Sequence, residues 1–370
     1  TSFFRSYLNV FNRKSYQEND FKNCNHTSIN FDTVIMDEAS KATPPELALP
    51  VLFGKKSIIV GDHRQLPPMI DGEEIKDLLF SIGEKALAKT LSHKEFETSQ
   101  FERLFTNIHE SIKGTFDIQY RMHPAINEVI SQFYKSVSEK GLQCGLPMEE
   151  SYHNSFEKWD SRYHGLQYKN ILTPETHTIW VNVTTPEIQE GTSRVNFGEI
   201  EAIDNILTVL NNSKGKNEFD QWLSNKSLEE KQIGLISFYG KQIHYINKML
   251  KEKHSEVPIR LSTVDRFQGM ERNIIIVSMV RSNKLASFQG QKADEIYGEL
   301  GYPLQESLGF AESPNRLNVA LSRARRLLIV VGNSEHFCRK DIYKNVFETI
   351  QQNGKIISAE ELQNAVEQNG

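Results

Sequence analysis

The chain has 370 residues, of which 38% are hydrophobic and 25% charged, and its formal net charge is −5. This composition is typical of a globular protein large enough for two domains. It argues against a uniformly basic nucleic-acid coat but allows a local basic groove. The three cysteines lie far apart, and no stretch approaches about eighteen apolar residues, so we expect neither a disulfide or zinc framework nor a membrane span. A cytoplasmic location follows as the default expectation, and a monomer is the simplest oligomeric state.

Apolar, β-branched runs predict a series of strands separated by helical stretches. The predicted strands cover residues 32–37, 57–61, 116–119, 177–183, 232–238, 274–280 and 327–332. Charged sequence at 71–110 has helical spacing, and 334–366 is typical of an amphipathic helix followed by a frayed end. This alternation of strands and helices predicts parallel sheets with helices on their faces.

The domain organisation follows from the same pattern. A boundary near residues 111–118 separates a first domain, residues 1–115, from a second domain, residues 116–345, with 346–370 as a C-terminal helix and tail. Two stretches rich in glycine and proline lack any periodicity. We interpret these stretches, residues 137–170 and 284–314, as loop-rich insertions of the second domain.

Two of the predicted strands are followed by acids. Asp37 and Glu38 come directly after the first strand, and Asp62 follows the second. The carboxyl ends of parallel strands meet at one edge of a sheet, where ligands of open α/β sheets bind. Asp37-Glu38-Ala-Ser fits the second acidic motif of P-loop NTPases, in which the aspartate holds Mg²⁺ and the glutamate activates a water molecule. The alternative is a pair of core strands whose turns happen to be acidic.

A polar turn continues from Asp62, with the sequence Gly61-Asp-His-Arg-Gln65-Leu-Pro-Pro. Gly61 allows the backbone to turn tightly, and the amide of Gln65 is suited to a hydrogen bond with a γ-phosphate. For the two prolines we favour a stiff turn without a chemical role.

The second predicted domain begins with Gln119-Tyr120-Arg121-Met-His-Pro. A planar ring beside an arginine suits a nucleotide, because the ring can stack on a base while the guanidinium forks onto phosphate. The alternative is a surface Tyr-Arg pair at a helix start, with Pro124 early in that helix. We interpret His123 as structural rather than catalytic.

Two further motifs lie downstream. Ser262-Thr-Val-Asp-Arg-Phe-Gln-Gly269-Met-Glu271 predicts a loop that contacts a sugar-phosphate chain on one side and a nucleotide ribose on the other. Arg316 and Arg323 are spaced to share one face of a predicted helix, where a guanidinium could meet a γ-phosphate as an arginine finger. A solvated basic face is the alternative reading of this run.

Together and in this order, the motifs resemble the superfamily 1 helicases of the up-frameshift, senataxin and immunoglobulin-mu-binding-protein type. The resemblance covers Phe31 to Asn333. The resemblance implies an α/β fold with two RecA-like cores, here one partial and one complete, with ATP between the cores and a single strand of RNA or DNA across them. It is carried by Asp-Glu-Ala-Ser, Gly-Asp-His-x-Gln-Leu-x-Pro, Gln-Tyr-Arg-Met-His-Pro, Val-Asp-x-Phe-Gln-Gly-x-Glu and Arg-Leu-Asn-Val-Ala-Leu-Ser-Arg-Ala-Arg.

The resemblance also implies roles for individual residues. Asp37 and Glu38 would serve Mg²⁺ and water activation, and Gln65 would sense the γ-phosphate. On the nucleotide side, the implied set is Asp62, Tyr120 on the adenine, Gly269 and Glu271 at the ribose, Arg316, and the arginine fingers Arg121 and Arg323. Thr263, Ser237 and Tyr239 resemble strand-contacting positions, although Ser237 and Phe238 depart from the Thr-Pro of the family.

One departure is larger. The family needs Gly-x-x-x-x-Gly-Lys-[Ser/Thr] before the Asp-Glu strand, to hold phosphates on backbone amides, and no such run occurs in these residues. The simplest expectation is a C-terminal fragment of an ATP-dependent helicase or translocase that is inactive by itself. A non-catalytic nucleic-acid-binding or regulatory module is the alternative, and a nuclease using the acids is a weaker one.

Overall fold

The computed structural model describes residues 31–68, 72–90, 98–136, 139–146, 162–225, 231–283 and 308–368. Contacts divide the chain into a first unit, Thr1–His63 with Pro67–Ile112, and a second unit, Arg64–Leu66 with Lys113–Gly370. Most of the two predicted insertions, namely 137–138, 147–161 and 284–307, lies outside the described residues.

The first unit contains two parallel strands, β1 (Phe31–Met36) and β2 (Gly54–Ile59). Its helices are α1 (Pro44–Val51), α2 (Gly72–Ser81), α3 (Lys85–Thr90) and α4 (Gln100–Asn107). Helix α1 begins where proline suits the first turn and where the Glu46 carboxylate accepts the Thr43 N–H at 3.0 Å. A small core forms from five buried side chains: Val34, Met36, Ala39, Leu47 and Phe101.

The second unit is built on a parallel sheet of six strands, β5 (Thr178–Asn182), β8 (Ile233–Ser237), β9 (Ile259–Thr263), β10 (Arg272–Ser278), β11 (Ala324–Gly332) and β12 (Lys355–Ser358). Their order in the sheet is β12-β5-β11-β10-β8-β9. Short pairs lie beside it: β3 (Ile118–Gln119) with β4 (Gln143–Cys144), and β6 (Ile188–Glu190) with β7 (Ser193–Val195).

Helices cover both faces of this sheet. In chain order they are α5 (Pro124–Ser131), α6 (Phe197–Asn211), α7 (Lys216–Asn225), α8 (Gly240–Lys253), α9 (Val264–Phe267), α10 (Pro314–Leu321), α11 (Ser334–Phe337), α12 (Asp341–Asn353) and α13 (Ala359–Glu367). Alternate residues of β10 join different cores, Ile274 and Ile276 on one side and Ile275 and Val277 on the other. Burial on both faces explains why these strands are almost continuously apolar. The predicted α/β fold with a parallel sheet flanked by helices is confirmed.

The structure corrects two details of the sequence interpretation. Residues 334–366 are not one helix with a frayed end, because Lys355–Ser358 forms the edge strand β12 between two helices. The motif that begins at Ser262 is not a loop at its start, since Ser262 and Thr263 end β9. The local sequence of β9 and β12 does not by itself predict a strand. Both form because they pair with strands that are distant in sequence. In the described part of the chain, no helix has the length and apolar character needed to span a bilayer.

Candidate active site and nucleic-acid interface

The acids of the first unit lie at one edge of its small sheet. Met36 pairs with Ile59 at the ends of β1 and β2, so Asp37 and Asp62 follow strands that finish side by side. The backbone directly before Asp62 is closely packed. A Cβ on Gly61 would lie 2.9 Å from the Ser40 nitrogen and 3.2 Å from the Phe101 ring, so this position requires glycine.

Glu38 has an unusual backbone conformation. Its φ of 55° lies in the left-handed region, which is uncommon for residues other than glycine. An Asp37 carboxylate oxygen accepts the Glu38 N–H at 2.8 Å, and the Ala39 N–H donates to the Val60 carbonyl at 2.9 Å. Both acids are exposed at this bend, where a metal ion or a water molecule can reach them.

The acids fit a magnesium ion that arrives with a nucleotide. Among the residues that the structure describes, no group of three or more His, Cys, Asp or Glu side chains is placed to hold a metal. Mg²⁺ is usually bound by one or two carboxylates together with substrate phosphates and water rather than by a protein cage. An exposed aspartate at a strand end, such as Asp37, matches that mode of binding.

Gln65 is held by the residues of the last motif. Asn315 donates to the Gln65 carbonyl oxygen at 2.8 Å, and Asn318 donates to the Arg64 carbonyl oxygen at 2.8 Å. The Gln65 side-chain oxygen accepts from an Arg323 terminal nitrogen at 3.3 Å. The amide and the guanidinium to which the resemblance assigns γ-phosphate contacts are therefore hydrogen-bonded neighbours within the second unit.

Arg323 is built into the protein interior, with only 2% of its surface exposed. Its Nε donates to the Val319 carbonyl at 2.9 Å, and a terminal nitrogen donates to the Ser322 hydroxyl at 2.9 Å. Helix α10 ends at Leu321, so the expectation that Arg316 and Arg323 share a helical face is wrong. Arg323 lies after the helix and donates back to its last turn.

The Gln119–Pro124 motif is a helix entry with one side chain aimed outward. The Gln119 side-chain oxygen accepts the N–H groups of Arg121 and Met122, at 2.7 and 2.9 Å. His123 caps α5 by accepting the Ala125 N–H at 3.1 Å, which agrees with the structural role expected for it. Tyr120 is left 63% exposed, so its ring is accessible to a ligand.

Arg121 pairs with Glu271, the predicted ribose ligand. The Arg121 Nε and a Glu271 carboxylate oxygen are 2.7 Å apart, and Arg325 approaches the other carboxylate oxygen at 3.2 Å. Gly269 lies two residues before Glu271 with a φ of 78° and open space where a Cβ would be. The structure therefore brings together the arginine and the acid that sequence reasoning placed on the nucleotide side.

Arg316 lies in different surroundings. Its Nε is 3.4 Å from an Asp265 carboxylate oxygen, and its guanidinium lies 5.4 Å from the centre of the Phe310 ring. Asp265 belongs to α9, directly after Thr263, one of the predicted strand-contacting residues. The guanidinium of Arg316 therefore contacts Asp265 and Phe310, whereas Arg121 pairs with Glu271.

The residues predicted to contact the nucleic acid lie at the carboxyl ends of β8 and β9. Ser237 and Thr263 are register partners there. Ser237 is fully buried, and its hydroxyl has no hydrogen-bond partner within the described residues. Tyr239 is only 5% exposed, and its hydroxyl accepts from Arg281 at 3.3 Å. Neither side chain presents a wide surface to a nucleic acid.

Sequence reasoning missed a buried polar network beside these residues. Glu199, at the start of α6, accepts the Val280 N–H at 2.8 Å and the Ser278 hydroxyl at 2.6 Å. Burial raises the pKa of Glu199 to about 8. Val280 has a φ of 72°, a true outlier for a β-branched residue, and Asn196 donates to its carbonyl at 3.2 Å. The residues involved are far apart in sequence, so no local pattern indicates the network.

A largely buried histidine cluster was also missed. The rings of His123 and His177 stack with centroids 3.3 Å apart, and His164 meets His177 edge-on at 4.9 Å. Burial lowers the pKa values of His123, His164 and His177 to about 2, 3 and 4. Nearby Arg326 further disfavours their charged forms. The cluster joins the helix entry at Pro124 to β5 as neutral rings.

Comparison with known proteins finds helicases that are similar to most of this chain. Two family profiles, each described as an AAA domain, match residues 96–335 and 14–73. The ATP-dependent helicase NAM7 of Saccharomyces cerevisiae is 28% identical over 88% of this chain, and helicase sen1 of Schizosaccharomyces pombe is 30% identical over 87%. The DNA polymerase alpha-associated DNA helicase A of S. cerevisiae is 27% identical over 88%.

These curated relatives are much longer than the matched region. The chain spans 28% of the NAM7 length, 16% of sen1 and 42% of helicase A. The first profile alone covers more than half of the 370 residues. The chain belongs to the AAA-domain family of superfamily 1 helicases of the up-frameshift and senataxin type.

Proposed function

We propose that these residues are part of an ATP-dependent helicase or translocase that acts on single-stranded RNA or DNA. The hydrogen bond between Gln65 and Arg323 is the observation that carries the proposal. An amide and a guanidinium are both donors to phosphate oxygens, and the two meet within the second unit. A protein that only binds nucleic acid has no need of this pair.

The acids of the first unit take the hydrolytic roles. Asp37 would hold Mg²⁺, which neutralises charge on the phosphates and orients them for in-line attack. Glu38 would orient the attacking water and take its proton, a role that suits an exposed carboxylate at a sharp bend.

Nucleotide binding would exchange one ion pair for two new contacts. Arg121 leaves Glu271 and donates to phosphate oxygens, while Glu271 becomes free to accept hydrogen bonds from the ribose hydroxyls. Arg325 stays on the other carboxylate oxygen and limits the cost of separating the first pair. Tyr120, exposed next to Arg121, stacks on the adenine.

Because the 370 residues contain no Gly-x-x-x-x-Gly-Lys-[Ser/Thr], we expect this chain to turn over ATP slowly by itself. The test measures strand-stimulated, magnesium-dependent hydrolysis by the chain and by the complete product of its gene. Glu38→Gln in the gene product should abolish most turnover and keep nucleotide binding, whereas Glu84→Gln, an exposed glutamate of the same unit, should change neither. Turnover by the Glu38 variant at the parent rate would refute the assigned role.

The missing phosphate loop favours one second candidate, a nucleic-acid-binding or regulatory module without hydrolysis. The same experiment distinguishes the two functions. A gene product that binds single strands tightly but hydrolyses no ATP in their presence supports the second candidate. Magnesium-dependent cleavage of the strand would instead indicate a nuclease.

A further inference from the structure

Phe310 is an exposed aromatic side chain in a turn whose neighbours are buried. Leu308 and Ala311 have no exposed surface, whereas Phe310 is 54% exposed. The Leu308 carbonyl accepts from the Tyr239 hydroxyl at 3.4 Å, and the Ala311 carbonyl accepts from the Tyr343 hydroxyl. The turn is therefore fixed on both sides of a side chain that points outward.

The backbone of this turn leaves little freedom. Gly309 has a φ of 59°, and a Cβ there would lie 2.5 Å from the Tyr239 hydroxyl oxygen and 2.7 Å from an Arg281 terminal nitrogen. Arg281 is itself 1% exposed and donates from Nε to Glu187 at 3.1 Å. The contact between Gly309 and this buried Arg281–Tyr239 pair holds the next residue, Phe310, in one place.

Two side chains brace the Phe310 ring. The Tyr239 ring lies 5.7 Å away at 59°, and the Arg316 guanidinium lies 5.4 Å from the ring centre. Arg316 is in turn paired with Asp265, two residues after Thr263. A single exposed phenylalanine is ordinary, but one held between a buried tyrosine and an arginine at the carboxyl end of β8 is a built feature.

We propose that Phe310, braced by Tyr239 and Arg316, is a stacking platform for a base of the single strand, with Arg316 contributing positive charge for the adjacent phosphate. The inference rests on the proposed function, which supplies the strand. In this proposal Phe310 supplies the exposed aromatic surface that the buried Tyr239 lacks. Arg316 then contacts the single-stranded nucleic acid rather than the nucleotide. Aromatic platforms next to basic side chains are the usual way to bind single strands without sequence preference.

The test uses the full chain and fluorescein-labelled oligothymidine and oligouridine. Phe310→Ala should weaken binding about tenfold, and Phe310→Trp should retain binding, with its fluorescence quenched by the stacked base. Phe197→Ala serves as the matched control, because Phe197 is 46% exposed and also packs on a tyrosine, Tyr245. This control should bind as the parent does.

A second oligonucleotide separates the contribution of base stacking to binding from the contribution of charge. On an oligonucleotide with abasic sites, the parent and Phe310→Ala should bind equally, since the platform contacts bases only. Arg316→Ala should weaken binding on both strands and lower the slope of log Kd against log salt by about one. Equal binding of parent and Phe310→Ala to the normal strand, or a loss that persists on abasic strands, overturns the inference.

The outcomes also separate this inference from the proposed function. If the parent chain binds the normal strand and Phe310→Ala binds it equally, only the platform is refuted. If neither the chain nor the complete gene product binds any single strand, the proposed function fails and the platform fails with it. Melting temperatures of all variants are measured in parallel, and the exposed position of Phe310 predicts that Phe310→Ala and Phe310→Trp agree with the parent.

Discussion

The two units present their proposed catalytic groups in opposite ways. In the first unit, Asp37 and Glu38 lie exposed at the edge of a two-stranded sheet. In the second, Arg323 is 2% exposed and already donates to Val319, Ser322 and Gln65. The acids can be replaced without disturbing a core, whereas the arginine is part of one.

The strands differ in the same way. Residue Ile35 of β1 and Ile58 of β2 are 60% and 50% exposed, although both strands are apolar enough to be predicted from sequence. Every residue of β10 is buried, because strands flank it and helices cover it. An apolar run therefore predicts a strand with apolar faces. How far those faces are buried depends on the strands and helices that pack around the strand. Four measurements test how deep this contrast runs.

The largest effect is expected for Arg323. Arg323→Ala should reduce strand-stimulated turnover by the complete gene product about a thousandfold, because an arginine finger neutralises charge in the transition state. It should also lower the free energy of unfolding by about 1–3 kcal/mol, since buried acceptors lose their donor. Arg323→Lys restores the charge but not the fork, so it should recover stability more than turnover. Full turnover in either variant would contradict the assignment.

The second effect concerns the strands themselves. Ile276→Ala, at a fully buried position of β10, should cost about 3 kcal/mol in the free energy of unfolding measured with urea. Ile35→Ala, the same substitution at an exposed position of β1, should cost less than about 0.5 kcal/mol in the free energy of unfolding. A cost for Ile35 equal to that for Ile276 would show that the exposed face of β1 is covered in solution.

Glu38 should show the reverse of Arg323, a chemical effect without a structural one. Glu38→Gln is expected to slow turnover about a hundredfold while leaving the melting temperature unchanged. Glu38→Gly should lose turnover equally and gain slightly in stability, since glycine adopts a φ of 55° without strain. A lower melting temperature for either variant would mean that the bend needs the glutamate side chain.

The smallest effect is a pH dependence of the second unit. His164 has a folded pKa of about 3 against a usual 6.5, so the folded state binds fewer protons than the unfolded one. Its stabilising contribution is complete above pH 6.5 and is lost as the pH falls below that value. From pH 7 to 5 the loss is about 2 kcal/mol for one such histidine.

His164→Gln should reduce the difference in unfolding free energy between pH 7 and pH 5 by this amount. His244→Gln, at an exposed position, should leave it unchanged. Burial raises the pKa of Glu199, so the contribution of this residue to the stability of the protein is lost in the opposite direction, as the pH rises above 4.5. This effect is equal in both variants. An unchanged pH dependence in His164→Gln would refute the cluster's role.

The sequence predicted those parts of the molecule that depend on local pattern. The central strands β8, β10 and β11 were recognised because each is a continuous apolar run. The edge strands β9 and β12 were missed, since partly exposed edge strands mix polar with apolar residues and owe their pairing to neighbours. The position of Arg323 beyond α10 was also missed, because helical spacing alone does not mark where a helix ends.

The sequence indicated which residues are of interest better than it indicated the structural surroundings of those residues. Tyr239 was expected, from the family resemblance, to contact the nucleic acid, but its burial depends on Arg281 and Leu308, which no spacing rule connects to it. Phe310 was read as part of an irregular stretch, and its exposure becomes informative only when Tyr239 and Arg316 are seen beside it. Contacts between distant positions carry this information, and a single sequence does not display them.

The strained backbone at Val280 has a consequence for the evolution of this family. A β-branched residue at a φ of 72° persists only while Glu199 and Asn196 hold its amide and carbonyl. Loss of the carboxylate would remove the reason to tolerate the strain, and glycine at position 280 would then become the favoured residue. Positions 196, 199 and 280 are therefore expected to change together among relatives, even though none of them touches ATP in the proposed reaction.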